Sequence, residues 1–310
     1  MSRDFKLDII GVGAAKAGTT WTATILDEHP DTCLGHGKEL DYFLEDMPLY
    51  LQQRLGTTET KMRPKGEKWL KEQFTHSKPG QLKAEFSPRY FGDPGSPRLI
   101  HEHNPDAKLL INLRNPVEAA YSFYYHYIAF HPSEVDNFGD AIKIVPEALD
   151  YYHYINHIER FAKYFPREQM NIVLMDDIKA DNQKVYRDLC EFIGVEAVPL
   201  EAVTKRANTA KQIRSTHMRL AFYNLQLFLG KHAATRRMRD LIASNKAIKD
   251  MWGRIKQLNI RHEKYEEMSQ ESREQLVELF REPNERLGEF LDRDLSHWMK
   301  IPEHKGVKAS

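Results

Sequence analysis

Short apolar runs alternate with amphipathic stretches along the first two thirds of the chain. Residues 7–12 (LDIIGV) are almost wholly apolar and end among glycines, which predicts a buried strand. Residues 19–28 follow with Trp21, Ile25 and Leu26 on one side, the spacing of a helix. Residues 32–34 predict a short second strand and residues 81–86 a third. Between them, residues 48–56 and 67–75 predict helices joined by a polar, lysine-rich loop, TTETKMRPKG. Residues 107–113 (AKLLINL) form the clearest strand after the first. They feed through Asn115 and Pro116 into a helix that runs to residue 130. A helix over 150–165, a strand over 170–175 (MNIVLM) and a helix over 182–193 continue the alternation. Alternation of this kind implies a parallel sheet covered on both faces.

After residue 210 the pattern turns helical and charged. The segment PNERLGEFL keeps a helical period through Leu287, Phe290 and Leu291, so Pro283 is expected in the first turn of a last helix. No linker divides the chain. The expectation is one domain over residues 1–310, with an α/β nucleotide-binding core over 5–195 and a mainly helical part over 196–310. The fold class is α/β: a P-loop-like parallel sheet flanked by helices, with a helical C-terminal portion.

Composition narrows the function. Of 310 residues, 45 are Lys or Arg and 45 are Asp or Glu, so the net charge is zero. A nucleic-acid binder normally carries a basic excess, and none is expected here. No stretch approaches 18 consecutive apolar residues, which argues against a membrane span. In the opening residues Asp8 and Gly11 interrupt the apolar run and Lys16 follows it, unlike a signal peptide. Two cysteines, Cys33 and Cys190, cannot build a disulfide framework or a thiol metal cluster. These features together predict a cytoplasmic protein. His153 and His157, four apart among aromatics, are expected to frame a helix face rather than bind zinc.

Chemistry is concentrated at two places. The first is GVGAAKAGTT, residues 11–20, between a buried strand and a helix. Small residues let the backbone wrap an anion, and the N–H groups of the helix start point at it. Gly13 and Gly18 have the separation of a P-loop, GxxxxGK[ST]. The residue after Gly18 is threonine, however, and the lysine sits earlier, at Lys16. Only Asp176 and Asp177, after the 170–175 strand, offer themselves as the magnesium partner of a nucleoside triphosphatase. The second place is Arg114, at the end of the 107–113 strand, with Asn115 as N-cap and Pro116 as first helical residue. Ligands of open α/β sheets bind at such strand ends. Arginine offers a planar fork to a phosphate, and Ser122 on the following helix adds a donor. Two anion grips on neighbouring strand ends predict a ligand with two separated phosphate groups.

These segments together resemble the sulfotransferases that use 3′-phosphoadenosine 5′-phosphosulfate (PAPS). That family carries its lysine inside the first loop, as in GAAKAGTTW, and has a serine eight residues after the arginine of its second motif, the spacing of Arg114 and Ser122. The similarity is to the branch that contains heparan sulfate sulfotransferases and bacterial relatives. GKELDYF (37–43) is similar to that branch's KE-x-x-F-F element, AEFSPRYF (84–91) to its E-K-S/T-P-x-Y-F element, and RLGEFLDRDLSHW to its closing helix. The resemblance covers most of residues 5–195 and the last helix. Two positions depart: Phe86 replaces the family lysine, and Asp41 stands where histidine is frequent. Both touch the acceptor side.

The resemblance implies sulfuryl transfer from PAPS, releasing adenosine 3′,5′-bisphosphate, with no metal required. It assigns the 5′-phosphate end to Lys16, Ala17, Gly18, Thr19 and Thr20 and the 3′-phosphate to Arg114 and Ser122. Lys16 is expected to stabilise the charge growing on the bridging oxygen. Glu39 is expected to act as general base, with His36 and Asp41 as alternatives on the same segment. A late basic loop, represented here by Arg206, Asn208 and Lys211, is expected to close over the nucleotide. The aromatic runs 121–130 and 151–154 are read either as core or as lining of an acceptor pocket. The acceptor is a glycan, a lipid, a carrier-bound acyl chain or a small metabolite. A P-loop kinase or NTPase and a noncatalytic nucleotide-binding protein are the competing classes.

Overall fold

Five of the apolar runs assemble into one parallel sheet in the order β2-β3-β1-β4-β5. The strands are β1 (Ile9–Gly13), β2 (Thr32–Leu34), β3 (Leu82–Phe86), β4 (Lys108–Leu113) and β5 (Met170–Leu174). All five residues of β1 are buried, as a strand covered on both faces requires. It pairs with β3 on one side (Ile9 with Ala84) and β4 on the other (Ile9 with Lys108). The chain therefore reverses its direction of winding across β1, and the loop after β1 lies at the switch point where such sheets bind ligands. This computed structural model describes residues 5–46, 61–62, 65–128, 138, 149–204, 212–213, 260–261 and 268–301. The 48–56 helix expected from the sequence falls outside them.

The helices are α1 (Thr19–Glu28), α2 (Glu67–Glu72), α3 (Ser96–His103), α4 (Pro116–Ile128), α5 (Tyr154–Ala162), α6 (Met175–Ala180), α7 (Asn182–Ile193), α8 (Glu201–Thr204) and α9 (Gln270–Leu291). Trp21, Ile25 and Leu26 of α1 join Leu189, Cys190 and Ile193 of α7 in a core cluster with Ile9 and Phe86. The Trp21 indole N–H donates to the Ala202 carbonyl, 3.2 Å away, so its polar edge is satisfied within that core. Asn115 caps α4 as expected: its side-chain oxygen accepts from the N–H groups of Val117 (2.9 Å) and Glu118 (3.3 Å). None of the helices has, among the described residues, the length and apolarity to cross a membrane.

The chain packs as two compact units. The first comprises Met1–Ala120, Pro146–Ala207 and Arg273–Ser310, and the second Tyr121–Val145 and Asn208–Ser272. In the second unit Tyr121 and Tyr124 pack on Phe138 at ring distances of 4.8 and 5.1 Å. There β6 (Gln212–Ile213) and β7 (Ile260–Arg261) pair antiparallel, in a stretch whose pattern reads as helical. Pro283 corrects the sequence expectation: it lies inside α9 and does not begin it. Leu276, Val277, Phe280 and Leu287 form a buried stripe that continues through the proline. An internal proline costs about 3 kcal/mol, which burial of several such side chains at about 1.5–3 kcal/mol each can offset.

A segment with little regular structure, residues 39–46, is fixed by side chains of residues 85–93. Glu85 Oε1 accepts from the Leu40 N–H (3.1 Å), the Tyr90 hydroxyl (3.1 Å) and the Ser87 hydroxyl. Ser87 Oγ accepts from the Asp41 N–H (3.0 Å), and the Tyr90 oxygen from the Tyr42 N–H (2.7 Å). Asp93 accepts from the N–H groups of Glu45 and Asp46 and, at 2.7 Å, of Ser96, the first residue of α3. The Glu85 carboxyl is buried, and its Oε2 has no partner among the described residues. Burial pushes it up to about 8, against the hydrogen bonds from Ser87 and Tyr90.

This packing makes two residues informative about stability. At Gly11 an added Cβ meets the Phe86 ring at 2.1 Å. Gly11→Ala is expected to cost about 1–3 kcal/mol by overpacking, read from the denaturant midpoint, and Phe86→Leu in the same chain should recover part of it. Glu85 sets a pH dependence. The folded carboxyl holds its proton to about pH 8, while the unfolded one loses it near its ordinary value of 4.5. Between those values the folded state binds more protons, so stability falls as pH rises. Glu85→Gln should flatten that decline, and an unchanged slope would show that Glu85 titrates normally.

Candidate functional site

Residues 14–18 leave the buried end of β1 and enter α1 at Gly18, a left-handed N-cap with φ of +88°. A side chain at Gly18 would be strained by that φ and would meet the Met175 sulfur at 3.0 Å, so glycine is required there. No side chain caps the N terminus of α1, which leaves its first N–H groups and the positive end of its dipole for an anion. Lys16 also adopts a left-handed backbone, with φ of 65°. Its carbonyl accepts from the Arg114 guanidinium at 3.5 Å. Burial, then the charges of Arg114 and Lys38, hold the Lys16 ammonium below its ordinary value. Lys38 donates to the hydroxyls of Thr19 (3.1 Å) and Thr20 (3.2 Å). Burial holds it low too, although Glu39 opposes the shift. A bound anion relieves such crowding of like charges, and a phosphate suits the geometry of a helix start.

Tyr151 locks the loop from behind. Its hydroxyl accepts from the Ala15 N–H at 2.8 Å and donates to the Pro88 carbonyl at 2.7 Å. The loop after β1 and the turn after β3, Pro88–Phe91, thus share one phenol.

Glu39 stands next to Lys38 on the pinned segment. Its N–H donates to the Phe86 carbonyl at 3.0 Å, and its φ of 72° is left-handed, as is that of Asp41 at 53°. Its carboxylate lies 3.2 Å from Arg89 and 3.7 Å from Lys38. Lys38 therefore touches both the threonines at the start of α1 and the carboxylate expected to act as base. Asp41 is less free. Its oxygens accept from Arg89 Nε at 3.0 and 3.1 Å and from Nη2, and its side chain is 16% exposed against 35% for Glu39. His36 contacts the Thr75 hydroxyl (3.2 Å) and packs against His76 with the rings tilted by 31°.

Contacts thus link Lys38 to Thr19, Thr20 and Glu39, and Arg114 to the Lys16 carbonyl, around the Gly18 turn, with Ala17 buried in the loop. Ser122 is buried on α4 and belongs to the second unit. Arg206, Asn208 and Lys211 lie outside the described residues. Asp176 and Asp177 are committed elsewhere. Asp176 accepts from the Trp298 indole (2.5 Å) and His297 (3.3 Å), and Asp177 pairs with Arg293 at 2.6 and 2.9 Å. Among the described residues no cluster of three or more histidine, cysteine or acidic side chains could hold a metal.

His157 packs on Phe91 and Tyr151, and burial and Arg160 lower it to about 4. Tyr152 and Tyr154 are buried, so they serve the core. Sequence reasoning missed Lys38 and Arg89, and read Tyr151 as core or pocket lining rather than as the phenol that holds the loop after β1. The signal for the first was its place beside Glu39 in GKE, and for the second the unusual arginine in SPRYF.

The sulfotransferase-domain family matches residues 6–239. The bifunctional heparan sulfate N-deacetylase/N-sulfotransferase 1 of Caenorhabditis briggsae is 23% identical over 316 aligned positions, covering 96% of this chain and 31% of that protein. The human heparan sulfate glucosamine 3-O-sulfotransferase 5 is 28% identical over 173 residues, covering 52% of this chain and 46% of that protein. The chain thus spans less than half the length of either curated relative. A sulfotransferase from Alicyclobacillus acidocaldarius superposes with a TM-score of 0.65 at 24% identity, covering 96% of this chain and 100% of that one, which shows a shared fold. With a family match across most of its length, this chain belongs to the sulfotransferase-domain family.

Proposed function

We propose that the protein moves a sulfuryl group from PAPS to a hydroxyl or amine of an acceptor. The observation that carries this is the convergence of Lys16, Lys38 and Arg114 on the uncapped start of α1, beside the Glu39 carboxylate. The acceptor oxygen or nitrogen attacks sulfur, the bond from sulfur to the bridging phosphate oxygen breaks, and adenosine 3′,5′-bisphosphate leaves. Glu39 takes the acceptor's proton. Lys16 offers its charge to the departing oxygen, where a preorganised cation lowers the barrier. The N–H groups of Ala17, Gly18, Thr19 and Thr20 hold the 5′-phosphate end. Arg114 holds the 3′-phosphate, with Ser122 as a further donor, and Arg206, Asn208 and Lys211 close over the nucleotide. Protein cations supply the positive charge, and the reaction as proposed calls for no metal. The family match crosses both compact units, which supports treating residues 1–310 as one sulfotransferase domain.

The acceptor class stays as broad as the chemistry: a glycan, a lipid, a carrier-bound acyl chain or a small metabolite. The relatives' names point to heparan sulfate, while Asp41 stands where that branch frequently has histidine; Phe86, expected on the acceptor side, is instead buried in the core against Gly11. A cytoplasmic site of action accords with two free, buried cysteines, Cys33 and Cys190.

Calorimetry separates this reaction from a kinase. Adenosine 3′,5′-bisphosphate should bind without magnesium and more tightly than ATP, and the reverse order would refute the PAPS assignment. Arg114→Ala should weaken bisphosphate binding about ten- to a hundredfold, the cost of a lost charge-assisted contact. Unchanged affinity would mean that Arg114 grips something else. Glu39→Gln should spare bisphosphate affinity and lower kcat for labelled-sulfate transfer to acceptors of a cell extract by about two to four orders of magnitude. Near-normal turnover would remove Glu39 from the role of base.

A further inference from the structure

We infer that Arg89, anchored by Asp41, is a positioning residue that sets the orientation of the Glu39 carboxylate. The inference rests on Glu39 being the base. Arg89 stands on the short turn Pro88–Phe91, whose other three residues are buried and whose Pro88 carbonyl is held by Tyr151. Its mount is therefore fixed. From there its guanidinium spans two carboxylates: Nε and Nη2 engage Asp41, and Nη1 reaches Glu39 Oε2 at 3.2 Å. On the opposite side Glu39 Oε1 faces Lys38 at 3.7 Å. Each oxygen of Glu39 thus has its own cation, and that fixes the plane of the carboxylate.

A lone surface ion pair contributes little, because two long side chains must be held still in water. Here the arrangement differs in three respects. Arg89 is engaged through more than one of its nitrogens, and only a planar fork can meet two carboxylates in fixed directions. Asp41 is largely buried by its neighbours. Both acids sit on left-handed backbone held by hydrogen bonds to Phe86 and Ser87, so their Cα positions are set before the side chains meet. A lysine at position 89 would carry the charge but could not bridge both acids in this way. The division of labour also answers why Asp41 lies so near Glu39 without sharing its role: its lone pairs hold the clamp.

The test uses the full chain and PAPS labelled in its sulfuryl group, with acceptors from a cell extract. Five variants are compared: Arg89→Ala, Arg89→Lys, Asp41→Asn, Glu39→Gln and the double variant Arg89→Ala/Glu39→Gln. Arg89→Ala is expected to lower kcat about ten- to a hundredfold, the scale of a misplaced catalytic group, with bisphosphate affinity unchanged. Asp41→Asn should show a smaller loss of the same kind. Arg89→Lys should recover only part of the rate, and added guanidinium ion should rescue Arg89→Ala where sodium does not. The double variant should be no slower than Glu39→Gln alone, within about twofold, because Arg89 acts through Glu39.

The inference is overturned if Arg89→Ala keeps wild-type kcat while Glu39→Gln is slow, which leaves the base assignment standing. It is also overturned if the two losses multiply in the double variant, since Arg89 then acts on its own. Near-normal turnover of Glu39→Gln instead defeats the base assignment, and the clamp with it. If Arg89→Ala does not fold, Arg89→Lys and Asp41→Asn carry the same comparison, with melting temperature as the control.

Discussion

The parallel pairing of β1 with β3 is the constraint on which the site depends. Gly11 pairs with Phe86, and the absence of a side chain at Gly11 lets the phenyl ring lie against the strand. The Ser87 N–H then donates to the Gly11 carbonyl at 2.9 Å, so the pairing of the two strands extends to the residue after β3. β1 leads into the loop that carries Lys16. β3 leads into the turn that carries Arg89 and the buried acceptors that hold residues 39–46. Elements far apart in sequence are thereby placed on one edge by a single register. The glycine explains how the two segments come to lie side by side.

Electrostatics set the working state of that edge. Lys16, Lys38 and Arg114 crowd at a helix start that is itself positive. Unliganded, such a place is destabilising in the local sense, and its stability returns when an anion arrives. On the neighbouring side, Arg89 and Lys38 meet Glu39 and Asp41 in near balance. Positive charge is therefore left unbalanced at the start of α1 and nearly balanced around Glu39. Local polarity of this kind is compatible with the zero net charge of the whole chain.

Much of the fold was legible because its signals are local. The apolar run ending at Gly13, the helix from Thr19 and the Asn115–Pro116 cap are each written within a dozen residues. Helix α3 was missed. Its sequence SPRLIHEH is polar, with Ile100 as its one large buried apolar side chain, and its start is fixed by Asp93 outside the helix. Pro283 misled because its local preference for a first turn is outweighed by a buried stripe spread over α9. In the site, Lys16 and Glu39 lie in motifs that carry their own meaning. Arg89 and Tyr151 do not: their partners are 48 and 136 residues away, and only the sheet register brings them together.

Asp93 joins two parts of the molecule that a ribbon drawing would show as separate. Its carboxylate accepts from the last backbone groups of the pinned segment, at Glu45 and Asp46, and from both the N–H and the hydroxyl of Ser96 at the start of α3. The irregular segment and the start of α3 thus share one acceptor group, and the Ser96 hydroxyl also donates to the Phe43 carbonyl of the segment. Local opening there is thereby tied to a cooperative unit larger than the segment itself. A stretch that looks like a loop is in this respect a buried edge of the core, and its amides should exchange with solvent on the timescale of α3.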